Sequence, residues 1–285
     1  TTANDTADDY MVAVQEAAKA GASVVIGYGE EFEEPLFTMQ KKYKKIKFLI
    51  LDGAPRKEAG KKAKVRKNTR AVVYDEVQSG FLAGYAAVMD GYRSLGFLGG
   101  QKQKNVMYYG SGFVQGAEYA ASQLKLKENE VTVRYDYLET NEISPSVMAR
   151  AGQWYEDGCE LIFAAGGAIP TAVIKAAEAT GGKVIASDVA QTSKQQAVVT
   201  TAEKNVTDVV YNAIGGAYGD SFDGGKEEIM DLSNEGVGLS MEQSAFQSFT
   251  ADEYNKIVSQ IVEKEVEVKK EYVSAINEEG GVAHL

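Results

Sequence analysis

The chain reads as an α/β protein with parallel sheets, divided into two domains. Short β-rich runs alternate with helical stretches along its length, the pattern of βαβ units. The runs are continuously apolar, as strands buried on both faces of a parallel sheet are. At roughly 150 residues per domain, 285 residues make about two domains. In chain order the predicted strands are SVVIGYG (23–29), KFLILDG (47–53), AVVYD (71–75), LGFLGG (95–100), VTVRYDY (131–137), ELIFAAGG (160–167), KVIASD (183–188) and AVVTT (197–201). Helical patterns fill 8–20, 33–45, 78–92, 112–125, 145–157, 169–180, 205–217 and 251–268. The polar, basic stretch 53–70 predicts a loop, and the Gly- and Asp-rich stretch 218–235 predicts a second.

Composition narrows the function. Hydrophobic residues make up 44% and charged residues 25%, enough for a large core, and no apolar run approaches the ~18 residues of a membrane helix. A net charge of −11 disfavours nucleic acid as a partner. Even so, residues 41–70 hold thirteen of the thirty Lys and Arg against only Asp52 and Glu58. With Tyr43 alone available to stack on bases, that stretch reads as a solvated helix face plus a flexible surface loop. The single cysteine, Cys159, permits no internal disulfide and reads as a buried, inert thiol. The single histidine, His284, falls in a tail expected to fray. A His-based triad, a two-histidine metal site and an HExxH helix are thereby excluded. No GxxxxGK[ST] or GxSxG occurs, and neither Gly27–Phe32 nor Gly110–Gly116 completes a dinucleotide fingerprint. No metal or cofactor is expected.

Several strands end in Gly or Asp, and ligands of open α/β sheets sit beyond strand carboxyl ends. Asp52 and Asp188 each end a strand, as turn or helix-capping residues or as carboxylates accepting from a sugar or a base N–H. Tyr28 ends the first strand. Lys204 follows the AVVTTAE run. Tyr108–Tyr109 offer a stacking surface or core, and Trp154 reads as packing. Asp8–Asp9, the only adjacent aspartate pair, reads as a helix start. With no larger aspartate cluster to hold a metal, a hydrolase is disfavoured.

The order of segments is more specific than any one of them. DDYMVAVQEAAKAGASVVIGYGEEFEEPL, KKYKKIKFLILDG, AVVYDEVQSGFLAGYAAVM and LGFLGGQ are followed by YYGSGFVQGAEYA, GCELIFAAGGA, KVIASDVAQ, AVVTTAEKNVTDVVYNAI and NEGVGLS. Together they resemble the basic membrane protein family, bacterial substrate-binding lipoproteins of ABC importers whose characterised members take up nucleosides. The resemblance implies the type I periplasmic-binding-protein fold: two doubly wound α/β lobes, a hinge crossed three times, and ligand held in the inter-lobe cleft. It places the lobes at 1–93 plus 200–230 and at 94–199 plus 231–285. It implies a purine or general nucleoside as ligand, with Asp52 contacting the base, Asp188 the ribose hydroxyls, and Lys204 donating on the sugar side as a charge partner of Asp188. Gly166, Gly167 and Ala168 would let backbone approach the ligand, and Tyr109 would line the cleft ahead of a helix start. An ABC permease is the implied partner. The implied location is extracytoplasmic, at the cell surface or in the periplasm, held by a lipid anchor outside this chain.

Two departures stand out. The family's first strand and helix, with their Ser-Phe-Asn-Gln motif, have no counterpart before TTANDTADDY, so the chain is expected to be incomplete at its start. In LETNEISPS (138–146), Asn141 and Glu142 stand where relatives carry an aromatic. The alternative is therefore the same fold binding another small ligand, a free base, a sugar or a signalling molecule, as a sensor or regulator.

Overall fold

A computed structural model describes residues 7–188, 195–219, 221–270 and 281–285. The chain forms two compact units, Thr1–Tyr74 with Asn205–Met230, and Asp75–Lys204 with Asp231–Leu285.

In the first unit a four-stranded, all-parallel sheet runs β1(Val24–Tyr28)–β2(Lys47–Leu51)–β3(Thr69–Tyr74)–β9(Glu227–Met230). Helices α1(Ala7–Lys19) and α2(Glu33–Lys42) bury Val14, Leu36 and Met39 against Val25, Phe48, Ile50 and Ala71. Alternate residues of β2 and β3 face the other side, where α7(Val206–Tyr218) packs on β2. Asn205 caps α7 by accepting from the Asp208 N–H, at 3.2 Å.

The basic segment between β2 and β3 is not a free loop. It lies lengthwise along α2 and is tied at both ends. Near the start of α2, the Ala54 N–H donates to Glu33 Oε1 at 3.0 Å, and Arg56 pairs with Glu33 Oε2 at 2.8 Å. Near its end, Gln40 Nε2 donates to the Lys64 carbonyl, and the Arg66 N–H returns a bond to Gln40 Oε1. Asn68 Nδ2 then reaches the carbonyls of Gln40, Tyr43 and Ile46. Ala63 and Val65 turn inward onto the core. These anchors are the Glu33 carboxylate and two side-chain amides, bonded to backbone and to Arg56, which a hydropathy pattern does not reveal.

The second unit holds seven strands in the order β10(Val237–Leu239), β8(Val198–Lys204), β7(Lys183–Ser187), β6(Leu161–Ala165), β4(Ser94–Gly99), β5(Thr132–Tyr137), β11(Gly281–His284). The five inner strands are parallel, and the two edges are antiparallel. Helices α5(Pro145–Glu156) and α6(Ile169–Thr180) cover one face with Trp154, Ile169 and Val173 over Leu98, Ile162 and Val184. Ser144 caps α5 by accepting from the Val147 N–H, and Pro145 opens it. On the other face, Phe113 of α4(Lys104–Gln123) packs with Phe97 and Phe163.

Helix α3(Glu76–Met89) belongs to this unit because it packs along α4 with almost no side chain between them. A Cβ on Gly84 or Gly116 would overlap the carbonyl oxygen of Phe113 or Phe81 respectively, and Gly80 and Gly112 meet the carbonyls of Tyr109 and Val77. The boundary therefore falls after Tyr74, not after position 93, and the second crossing falls after Lys204.

Three expectations are corrected. Helix α4 begins at Lys104, eight positions before the expected 112. His284 lies in a strand paired with β5, not in a frayed tail. The stretch 218–235 contains β9. No helix among the described residues is long and apolar enough to cross a membrane.

Candidate functional site

In the first unit, β1 ends at Tyr28, 49% exposed, and Gly29 turns the chain at φ 107° while its N–H donates to the Leu51 carbonyl. Asp52 follows β2 in the left-handed region at φ 56°, where few residues other than Gly sit and Asp is among those tolerated. No helix follows Asp52, so helix capping does not explain it. Asp75, which follows β3 and opens the second unit, is buried at the start of α3 and pairs with Lys270 at 3.0 Å. Burial holds its carboxyl above the usual carboxylate range in spite of Lys270.

The second unit repeats this geometry. Gly166 follows β6 at φ 101°, and Asp188 follows β7 at φ 53° with its N–H bonded to the Ala202 carbonyl. Asp52 and Asp188 thus occupy matching places: each ends the second strand of a β–α–β pair, β1–α2–β2 in one unit and β6–α6–β7 in the other. Asp188 is exposed; Val189–Gln191 of its motif lie outside the described residues.

Gly166, Gly167 and Ala168 sit together beyond β6. Gly167 has φ 51°, and a Cβ there would lie 2.7 Å from the Asn141 carbonyl oxygen. Asn141, read from the sequence only as a missing aromatic, ties three strand ends together. Its Oδ1 accepts from the Gln101 N–H at 3.0 Å beyond β4, and its carbonyl accepts from the Ala168 N–H at 2.8 Å beyond β6.

The side chain of Lys204, at the end of β8, is 1% exposed and forms an ion pair with Glu76 Oε1 at 2.9 Å, the Glu76 side chain being 5% exposed. The ammonium also lies 5.7 Å from the centre of the Tyr109 ring, within cation–π range. Tyr109 is corrected in position: it is inside α4 and 2% exposed, with its ring edge against Phe163. The structure therefore joins Lys204, Glu76 and Tyr109. Glu76 escaped the sequence reading because it falls between the predicted strand 71–75 and the predicted helix 78–92, where no pattern marks it.

Cys159 is buried, its thiol pushed up to about 12 by burial. Among the described residues no group of three or more His, Cys, Asp or Glu could hold a metal ion.

A family model described as "ABC transporter substrate-binding protein PnrA-like" matches residues 1–272. Basic membrane protein D of Borreliella burgdorferi (strain JD1) is 25% identical over 257 residues, covering 88% of this chain and 71% of that protein. The ABC transporter nucleoside-binding protein BmpA of Lactococcus lactis subsp. cremoris is 24% identical, covering 62% of this chain and 46% of that one. Among solved structures, an ABC transporter solute-binding protein from Aeropyrum pernix K1 superposes with a TM-score of 0.72 at 18% identity, over 95% of this chain and 80% of the other. The last shares the fold, two α/β lobes of the type I periplasmic-binding-protein kind. From the matched family model, the chain belongs to the PnrA-like ABC transporter substrate-binding proteins, a class that binds its ligand without converting it.

Proposed function

We propose that this chain binds a nucleoside, purine or general, and delivers it to an ABC permease outside the cytoplasm, where proteins of this class work. Asp52 of the first unit accepts from the base. Asp188 of the second accepts from the ribose hydroxyls, with Lys204 donating on the sugar side. A lipid anchor on the full protein belongs to the same reading. The observation that carries it is the matched pair of aspartates, both held at positive φ beyond strand carboxyl ends. Two non-glycine residues kept in a costly conformation at equivalent places mark positions chosen for the side chain. Support for a nucleoside comes from the Lactococcus relative, which its name describes as nucleoside-binding.

Isothermal titration with adenosine, guanosine, uridine, adenine and ribose tests it. One or more nucleosides should bind, and Asp188→Ala should weaken them by roughly a hundredfold or more, since two hydrogen bonds to a charged acceptor are lost. Unchanged affinity in that variant sinks the site. Binding of ribose or adenine alone would favour the second reading, a different small ligand in the same fold.

A further inference from the structure

Docking of 53–68 along α2 merges two lysine-rich runs, 41–47 and 56–67, into one surface. Residues 41–70 carry thirteen cations against two carboxylates, a net of +11 in a chain whose total is −11, so everything else carries −22. Lys41, Lys42, Lys44, Lys45, Lys57, Lys61, Lys62, Lys64 and Lys67 are all exposed. Gln40 and Asn68 hold the two runs together, and inward Ala63 and Val65 turn Lys64 outward between them. The helix dipole accounts for Lys41 and Lys42 in the last turn of α2, but not for the docked loop. Among the described residues, Lys61 is the one loop lysine with a salt bridge, to Glu58 at 3.6 Å, and both groups are so exposed that it contributes little.

We propose that this face docks on a membrane surface of anionic phospholipid headgroups. Its chemistry favours a diffuse negative plane. The exposed charges are compact lysine ammoniums, whereas two of the three arginines, which would supply forked recognition of a particular carboxylate or phosphate, are spent on Glu33 and Glu228. The exposed set includes no ring for stacking bases. A substrate-binding protein that serves a membrane-embedded permease also works beside such a surface. The −22 on the remaining residues would turn the other faces away from it.

The test uses the full chain and sedimentation with vesicles of phosphatidylcholine alone or with about a third phosphatidylglycerol, at low and at 0.5 M salt. The chain should bind the anionic vesicles alone, and release at high salt. Lys57→Gln, Lys61→Gln, Lys62→Gln and Lys64→Gln together should weaken partitioning by about a hundredfold or more, from the contribution of each lysine near an anionic surface. The corresponding Arg variant should retain it. A control with Lys125→Gln, Lys127→Gln, Lys175→Gln and Lys256→Gln changes net charge equally and should bind as the unmodified chain does. The proposal is overturned if the unmodified chain ignores anionic vesicles or if the control loses as much. It is equally overturned if duplex DNA or a polyglutamate peptide at equal charge strips the chain from the vesicles, which would make the face a polyanion site. All these readings are independent of nucleoside affinity.

Discussion

Glu76 and Lys204 meet at 2.9 Å with almost no water around either. Truncating one partner of such a pair strips the other buried charge of its ion-pair partner, at a cost of about 3–5 kcal/mol. Glu76→Ala and Lys204→Ala should each lower the unfolding free energy in urea by that amount. Glu76→Gln with Lys204→Met, which leaves no charge behind, should recover most of it. Strictly additive losses in the double variant would mean that the two side chains do not act as a pair. A weakened ligand in Lys204→Ala would thus report the fold as much as the site, which makes Asp188 the better probe. At this scale the strand-end placement of Asp52 and Asp188 was legible, because a carboxylate closing an apolar run is a local pattern. The sequence could not disclose Glu76, which is buried by a lysine on a strand that arrives far along the chain, or Asn141, whose role lies in backbone bonds.

Helices α3 and α4 are held by the absence of side chains. Gly80 and Gly84 on one face Gly112 and Gly116 on the other, each four apart, so backbone meets backbone. Gly84→Ala should destabilise by about 3 kcal/mol, the upper end of overpacking costs, since a carbonyl cannot step aside as a side chain can. Gly152→Ala in α5, with nothing within 4 Å of the added carbon, is the control and should be neutral or stabilising by up to about 1 kcal/mol. Thermal melts compare the two, and equal effects would remove the packing account. The parallel strands were legible because burial on both faces writes itself as unbroken apolar runs. The start of α4 was not, because Gly110 and Gly112 look like helix breakers until Phe97 and Tyr137 of the sheet close on the first and α3 on the second. Strands β9, β10 and β11 have only three or four residues each and pair at sheet edges, too short for a periodic signal.

Ligand binding should stabilise the whole chain by mass action. A nucleoside at a hundred times its Kd adds about 2.7 kcal/mol, which for a molecule of this size raises Tm by several degrees. Calorimetry with and without adenosine, guanosine or uridine measures it; a Tm indifferent to all three at millimolar concentration would count against the proposed ligand class. Two units were foreseeable from length alone, but the first crossing point, after Tyr74, was not. It depends on which partner α3 packs with, and four glycines set that close packing.

Those glycines have a consequence for descent. QSGFLAGY and YYGSGFVQGAEYA, two of the segments by which the chain resembles its relatives, are largely this seam. Substitution there is penalised whatever the cargo, so the seam stays legible over long divergence. Asp52 and Asp188, to which the proposed ligand contacts are assigned, lie outside this seam. Kinship and cargo are thus recorded in different residues, and two proteins can share every seam glycine while carrying different molecules.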